Sequence, residues 1–180
     1  VIVQANKNGI FFVLDRVTGA FISAEPFAIV SWTSGFDYET GAPIINQDAY
    51  YTSNQGVRVS PSGGGAHSWA QMAFNPITGL VYMPIVARSA FNYTATDEFE
   101  FTPGQQNLGL NLPGFGGRPP DPDAPELPPV RELPEIGPVR EGLEGRGGIL
   151  SAWNPATQTE AWFSNGVVQS GGGVLTTAGG

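Results

Sequence analysis

Cysteine is absent from these 180 residues, which excludes a disulfide framework, a thiolate metal centre and a cysteine nucleophile. Lysine occurs once, as Lys7, and histidine once, as His67. With 8 basic residues against 16 acidic ones and a formal net charge of -8, the chain lacks the clustered cations that phosphate binding requires. That balance argues against a nucleic-acid partner. No run of about 18 apolar residues occurs to suggest a membrane span. Charged residues make up only 13% of the chain, and no segment carries a convincing amphipathic helical period. An initiator Met is also missing ahead of Val1, and the last residues stop where a strand has begun to turn. Both features lead to the expectation that the chain is part of something longer, and the missing start leaves secretion undecided.

What is abundant is glycine (25) and proline (16), a balance that favours short strands and tight turns. The turns have a signature. In the stretch that starts at Lys7, an apolar run, Ile10 to Leu14, enters Asp15-Arg16-Val17-Thr18-Gly19, and a second extended run leaves it, the pattern of a hairpin. The corner returns as Asp37-Tyr38-Glu39-Thr40-Gly41, as Asn75-Pro76-Ile77-Thr78-Gly79 and, in weaker form, as Asn154-Pro155-Ala156-Thr157-Gln158. Such self-similarity is the mark of a repeat architecture. It also assigns Asp15 and Asp37 to turns, where a carboxylate caps nearby backbone N–H groups, and not to catalysis.

Between corners, residues 9–22 read as strand, corner, strand, and 27–32 as a further strand. The polar stretch after Ile45 reads as a loop. Residues 60–66 read as a flexible approach to His67-Ser68-Trp69, and the Asn75 hairpin returns through Leu80-Val81-Tyr82-Met83-Pro84-Ile85. From Asp97 to Arg146 the composition changes, with ten of the sixteen prolines and ten of the sixteen acidic residues. This reads as an inserted loop decorating a face, with Pro119-Pro120-Asp121-Pro122-Asp123-Ala124-Pro125 as extended, polyproline-like chain. The repeat resumes at Ile149 to Trp153, so the core is expected to continue across the insertion. Short strands, recurrent corners and Trp near repeat ends suggest an all-β propeller of four-stranded blades, with a β-sandwich as the alternative.

Four blocks then carry a family resemblance. They are Gln4-Ala5-Asn6-Lys7-Asn8-Gly9 with Leu14-Asp15-Arg16; Gly64-Gly65-Ala66-His67-Ser68-Trp69 with Met72-Ala73-Phe74-Asn75-Pro76 and Thr78-Gly79-Leu80-Val81-Tyr82; Leu150-Ser151-Ala152-Trp153-Asn154-Pro155; and Gly171-Gly172-Gly173-Val174-Leu175-Thr176-Thr177-Ala178-Gly179. In this order they resemble a central-to-late part of the quinoprotein alcohol dehydrogenases, eight-bladed propellers carrying pyrroloquinoline quinone (PQQ). The resemblance implies about three blades, residues 1–180 forming a partial propeller domain with the insertion at 97–146. It implies oxidation of an alcohol or related hydroxyl compound by loss of a proton to an Asp base and of a hydride to the quinone. A Ca²⁺ ion or a lanthanide would polarise the reacting carbonyl, a cytochrome c-type protein would accept the electrons, and the compartment would be the periplasm.

At the level of residues, the resemblance places Lys7 where a cationic side chain reaches the quinone oxygens, an electrostatic role akin to an oxyanion hole; the alternative is a solvated charge ahead of a strand. Ser68 falls where many members have Asn contacting the cofactor, a departure that shortens the reach. Trp69 reads either as a cofactor contact or as packing between blades, and His67 as a loop or packing histidine. The base, the metal ligands and the Trp that stacks under the quinone would lie upstream of Val1, so the fragment is expected to hold no catalytic or metal residue and to be inactive alone. A non-catalytic propeller scaffold of the cell envelope is the rival function. Other readings fail on pattern: no Gly-Lys-Ser/Thr follows Gly63-Gly64-Gly65, no Gly-x-Ser-x-Gly occurs, Asp37 and Glu39 share a turn and cannot flank a sugar, no calcium-loop pattern is present, and Asn92-Tyr93-Thr94 is a chance sequon.

Overall fold

The structure is a computed structural model that describes residues 1–104, 106–111, 126–143, 147–165 and 172–178. The strands are β1 (Ile2–Ala5), β2 (Ile10–Leu14), β3 (Phe21–Pro26), β4 (Thr33–Phe36), β5 (Pro43–Ile45), β6 (Gly56–Val59), β7 (Ala73–Asn75), β8 (Leu80–Val86), β9 (Phe91–Tyr93), β10 (Val130–Arg131), β11 (Gly148–Asn154) and β12 (Thr159–Asn165), with one 3-10 turn at Gln47–Ala49. Two antiparallel meanders dominate. One is the three-stranded β1-β2-β3; the other is the four-stranded β7-β8-β11-β12, which runs across the insertion as expected. Among the described residues this is the one sheet with four strands. Smaller pairings lie between them: β4 with β5, and β6 flanked by antiparallel β9 and parallel β10.

The corners form for the reason the sequence suggests. Asp15 Oδ1 accepts from the N–H groups of Val17 and Thr18, both at 2.8 Å, and Asp37 Oδ1 from Glu39 and Thr40 at 2.8 and 3.0 Å. Asn75 Oδ1 takes Ile77 and Thr78 N–H at 2.8 and 3.4 Å, and Asn154 Oδ1 takes Ala156 and Thr157 at 2.9 and 3.3 Å. The closing residue needs a left-handed backbone, which glycine adopts without strain: φ is 74° at Gly19, 73° at Gly41 and 70° at Gly79. At the fourth corner Gln158 takes φ 57° instead, and its side chain has a task no glycine could perform. Its amide oxygen accepts the Trp153 indole N–H at 3.1 Å while its amide nitrogen donates to Ser23 Oγ at 2.7 Å, tying the four-stranded meander to β3.

Strand β2 is buried on both faces, and its alternation sorts side chains between two cores. Phe11 and Val13 join Ala5, Phe27, Met83, Ile149 and Trp153, with the Phe11 and Trp153 rings 5.8 Å apart. Ile10 and Phe12 point the other way, toward Ala24, Val30, Phe36, Phe21 and Trp32. Each large apolar side chain buried here contributes about 1.5–3 kcal/mol.

Two expectations need correction. Residues 27–32 do not form a strand. They make a buried crossing in which Phe27 N–H donates to Gly9 O, Ile29 to Ala87 O, Val30 to Ile136 O and Ser31 to Ser60 O. An apolar run reads as a strand, but here each donor finds a different segment and no ladder forms. The insertion is likewise no mere decoration of a face. Its part 126–143 supplies β10, the Ile136 bridge to Val30 and a buried Arg140, while Leu110 bridges Ala95. The polyproline-like expectation for residues 119–125 lies outside the described residues.

Candidate functional site

Lys7 sits on the turn joining β1 to β2, and that turn is held by every carbonyl it offers. Gly9 N–H closes it onto Asn6 O at 3.1 Å, and Asn6 N–H meets Ile10 O at 2.9 Å. Lys7 O accepts from Ala66 N–H at 2.9 Å, Asn8 O from the Trp32 indole at 3.0 Å, and Gly9 O from Phe27 N–H at 2.9 Å. Three separate parts of the chain therefore fix the backbone that carries the lysine. Gly9, with φ 91°, is required there: a Cβ would lie 2.7 Å from Val30 Cγ2.

The segment 64–69 lies alongside this turn. Val86 N–H at the end of β8 donates to Ala66 O at 2.7 Å, and Ala66 N–H passes the connection on to Lys7, so the loop joins the two meanders. His67 adds a second link through a 3.0 Å bond between Nδ1 and Ala5 O. Because a carbonyl only accepts, Nδ1 carries the proton. Lys7, Ser68, His67, Gln4, Asn6 and Asn8 thus border one hollow of about 420 Å³. On the other side of 64–71, those residues with Pro84, Ile85, Val86, Gly172 and Gly173 border a larger hollow of about 650 Å³.

The structure therefore brings Lys7 and Ser68 to one hollow, and Ser68 and Trp69 to the other. Within this segment Trp69 stands free of both meanders, with 94% of its surface exposed. The buried aromatic that ties the meanders is Trp153, at 2%. His67 is half-buried, with Nε2 enclosed and without a hydrogen-bond partner among the described residues. Lys7 is exposed, and among the described residues it forms no ion pair, whereas Arg58, Arg88, Arg131 and Arg140 each face a carboxylate.

What the arrangement can do is hold an anionic, oxygen-rich group. An unshared ammonium on a rigid turn attracts carboxylate or quinone oxygens at little reorganisation cost. Gly65, with φ 78°, permits this: a Cβ there would come within 2.8 Å of Lys7 O and closer still to Lys7 Cγ, so the lysine stem lies flat over the glycine. These residues fit a planar, multiply carboxylated quinone. Among the described residues no group of three or more His, Asp or Glu is placed to hold a metal ion. Nor is any helix there long and apolar enough to cross a membrane. Sequence reasoning named Lys7, Ser68 and Trp69 but missed Gly65 as a contact surface. The signal was the Gly63-Gly64-Gly65 run, since a glycine before a functional loop often marks close backbone approach.

No family model matches the chain. Among curated proteins, it is 39% identical over 181 residues to the dehydrogenase subunit of alcohol dehydrogenase (quinone) from Gluconacetobacter polyoxogenes, covering 99% of this chain and 22% of that protein. It is 34% identical over 186 residues to 1-butanol dehydrogenase (cytochrome c) from Thauera butanivorans, covering 99% and 23%. Among solved structures, the quinohemoprotein alcohol dehydrogenase from Comamonas testosteroni superposes with a TM-score of 0.72 at 35% identity, over 98% of this chain and 24% of that one. The chain spans under a quarter of the length of the relatives it matches. With this identity running over nearly the whole chain and the superposition covering 98% of it, the chain belongs to the PQQ-dependent quinoprotein alcohol dehydrogenase family, as one segment of the β-propeller.

Proposed function

We propose that this segment forms the Lys7 side of the PQQ pocket in an alcohol dehydrogenase that passes electrons to a cytochrome c-type acceptor. The observation that carries the proposal is the unshared Lys7 ammonium, held beside a hollow on a turn whose carbonyls are all bonded. The quinone, when bound, supplies the electrophilic carbonyl that takes up two electrons from an alcohol. Lys7 holds positive charge where an oxygen becomes more negative, and its fixed backbone means that little reorganisation is needed as charge develops. Ser68 offers a hydroxyl across the same hollow, and Trp69 an exposed ring for a planar group or a neighbouring blade. Removing either the Ala66 or the Trp32 contact would let the turn swing and dilute the charge over several positions.

Ca²⁺ or a lanthanide, with carboxylate and amide ligands, and an Asp base are assigned to residues outside this segment. The cytochrome acceptor rests on relatives whose names carry it, and the periplasm only on the family resemblance. The test is dye-linked oxidation of a short-chain alcohol by the complete gene product reconstituted with PQQ and Ca²⁺. Lys7→Ala should lower kcat by about 10²-fold, as expected for loss of one oxyanion-type donor. A Lys7→Ala protein as fast as wild type removes Lys7 from the site. A gene product that binds no PQQ returns the chain to the scaffold reading.

A further inference from the structure

We infer that Gly65 and His67 are positioning residues for Lys7: the glycine supplies the flat track on which the lysine stem lies, and the histidine Nδ1–H staples that track to the end of β1. The inference rests on the proposed placement of PQQ beside Lys7.

Three observations converge. The first is steric. A Cβ on Gly65 would overlap Lys7 Cγ and sit 2.8 Å from Lys7 O, and neither is the free end of a flexible side chain. Any larger residue at 65 must lift the lysine stem or push its backbone aside. Gly65 also adopts φ 78°, so a side chain would be strained there even with space to spare.

The second is the His67 bond. Its Nδ1–H donates to Ala5 O at 3.0 Å, two residues ahead of Lys7, while Ala66 N–H donates to Lys7 O at 2.9 Å. Two bonds from adjacent loop residues to carbonyls two residues apart lock the loop in register with the lysine. A one-residue slip would break both, so the pair fixes which loop residue faces Lys7.

The third is what the imidazole leaves unmet. Its Nε2 is enclosed and has no partner among the described residues. A phenylalanine would fill the same space with no enclosed nitrogen, so packing alone does not account for histidine here; the Nδ1–H donor does. With Nδ1 committed to Ala5 O and Nε2 enclosed, His67 borders the hollow without offering it a free polar atom, and acts through Lys7.

The decisive experiment measures PQQ dissociation constants, by quenching of tryptophan fluorescence, for the complete gene product and for Lys7→Ala, Gly65→Ala, His67→Phe and His67→Asn. Asparagine places an N–H donor close to the position of imidazole Nδ1, whereas phenylalanine keeps the ring and loses the donor. We expect His67→Phe to weaken binding about tenfold, the equivalent of one hydrogen bond. His67→Asn should stay within about threefold of wild type, and Gly65→Ala should fall to the level of Lys7→Ala. Should Gly65→Ala fail to fold, as judged by circular dichroism and melting, the two His67 variants decide alone. The inference is overturned if Lys7→Ala weakens binding while His67→Phe matches wild type, or if His67→Asn is as weak as His67→Phe. If Lys7→Ala itself binds PQQ like wild type, the failure lies with the placement of the quinone instead.

Discussion

The corner turns and the segment 126–143 are held by opposite means. At each corner an Asp or Asn side chain bonds to backbone N–H groups two and three residues ahead, so everything the turn needs is local. In the segment, all four ion pairs found among the described residues have one member between 131 and 140: Arg131 with Asp48, Glu132 with Arg58, Glu135 with Arg88, and Arg140 with Glu160. Their hydrogen-bonded partners stand between 20 and 83 residues away in sequence. A corner can therefore form before the fold exists, while the segment can lock only onto a finished body. The first kind of contact specifies local path; the second reports that distant strands have met.

The sharpest way to break that difference is at Arg140. Its Nε and Nη2 grip both Glu160 oxygens at 2.8 and 2.7 Å, Nη2 also donates to Phe27 O at 2.8 Å, and the guanidinium lies over the Phe163 ring. The two side chains are only 3% and 12% exposed. Arg140→Met leaves the Glu160 carboxylate enclosed with Ser151 Oγ as its remaining donor. The expected loss is about 3–5 kcal/mol, read as a lower urea midpoint, because an uncompensated enclosed charge is the most damaging product of a broken pair. Replacing both partners with apolar residues of similar volume should recover most of it. A single-variant loss under about 1 kcal/mol would show that the segment is not anchored there.

The next effect concerns the corners. The Asp15 carboxyl is held below the ordinary value of 3.8 by the Thr18 and Val17 backbone N–H groups and the Thr18 hydroxyl, and Asp37 by those of Thr40 and Glu39. A folded-state value below the unfolded one means that stability is fully present above about pH 4 and drains away as pH falls through the lowered value. Asn75 and Asn154 make the same turn with a side chain that does not titrate. An Asp15→Asn, Asp37→Asn double variant should thus keep its neutral-pH melting temperature and lose less between pH 4 and pH 2 than wild type does. Identical acid slopes would show that the carboxylate charge adds nothing to the turn.

The same contrast explains what could be read in the sequence. Asp15, Asp37, Asn75 and Asn154 were legible because their partners lie within three residues. Lys7 and Ser68 were legible only through family resemblance, since nothing local says that a turn at residue 7 meets a loop at residue 68. Arg140 gave no signal, being one cation in a proline-rich acidic stretch whose burial depends on strand β12, twenty residues on. Residues 27–32 misled because burial and strand formation leave the same apolar mark, and only hydrogen-bond partners separate them. Gln158 broke the glycine rule of the corner for a reason visible only once Ser23 and Trp153 stand beside it.

The smallest effects belong to the three exposed pairs, and they separate the segment's surface hold from its enclosed anchor. Arg131 meets Asp48 at 2.7 Å, Arg88 meets Glu135 at 2.7 Å and Arg58 meets Glu132 at 3.7 Å, all with well-solvated side chains. Arg131→Ala should lower global stability by less than about 1 kcal/mol, and the difference should vanish in 1 M salt, where screening acts over about 3 Å. Local opening is the more sensitive measure. Hydrogen exchange at β10 should quicken in Arg131→Ala at low salt, while exchange in β8 and β11 stays unchanged. Glu135 is the exception among the three, because it also accepts the Ser60 hydroxyl at 2.9 Å. Glu135→Ala should therefore retain a deficit in high salt that Arg131→Ala does not. Equal salt behaviour of the two variants would mean that the Ser60 bond carries none of the hold, leaving Arg140 as the one ion pair that lastingly ties the segment down.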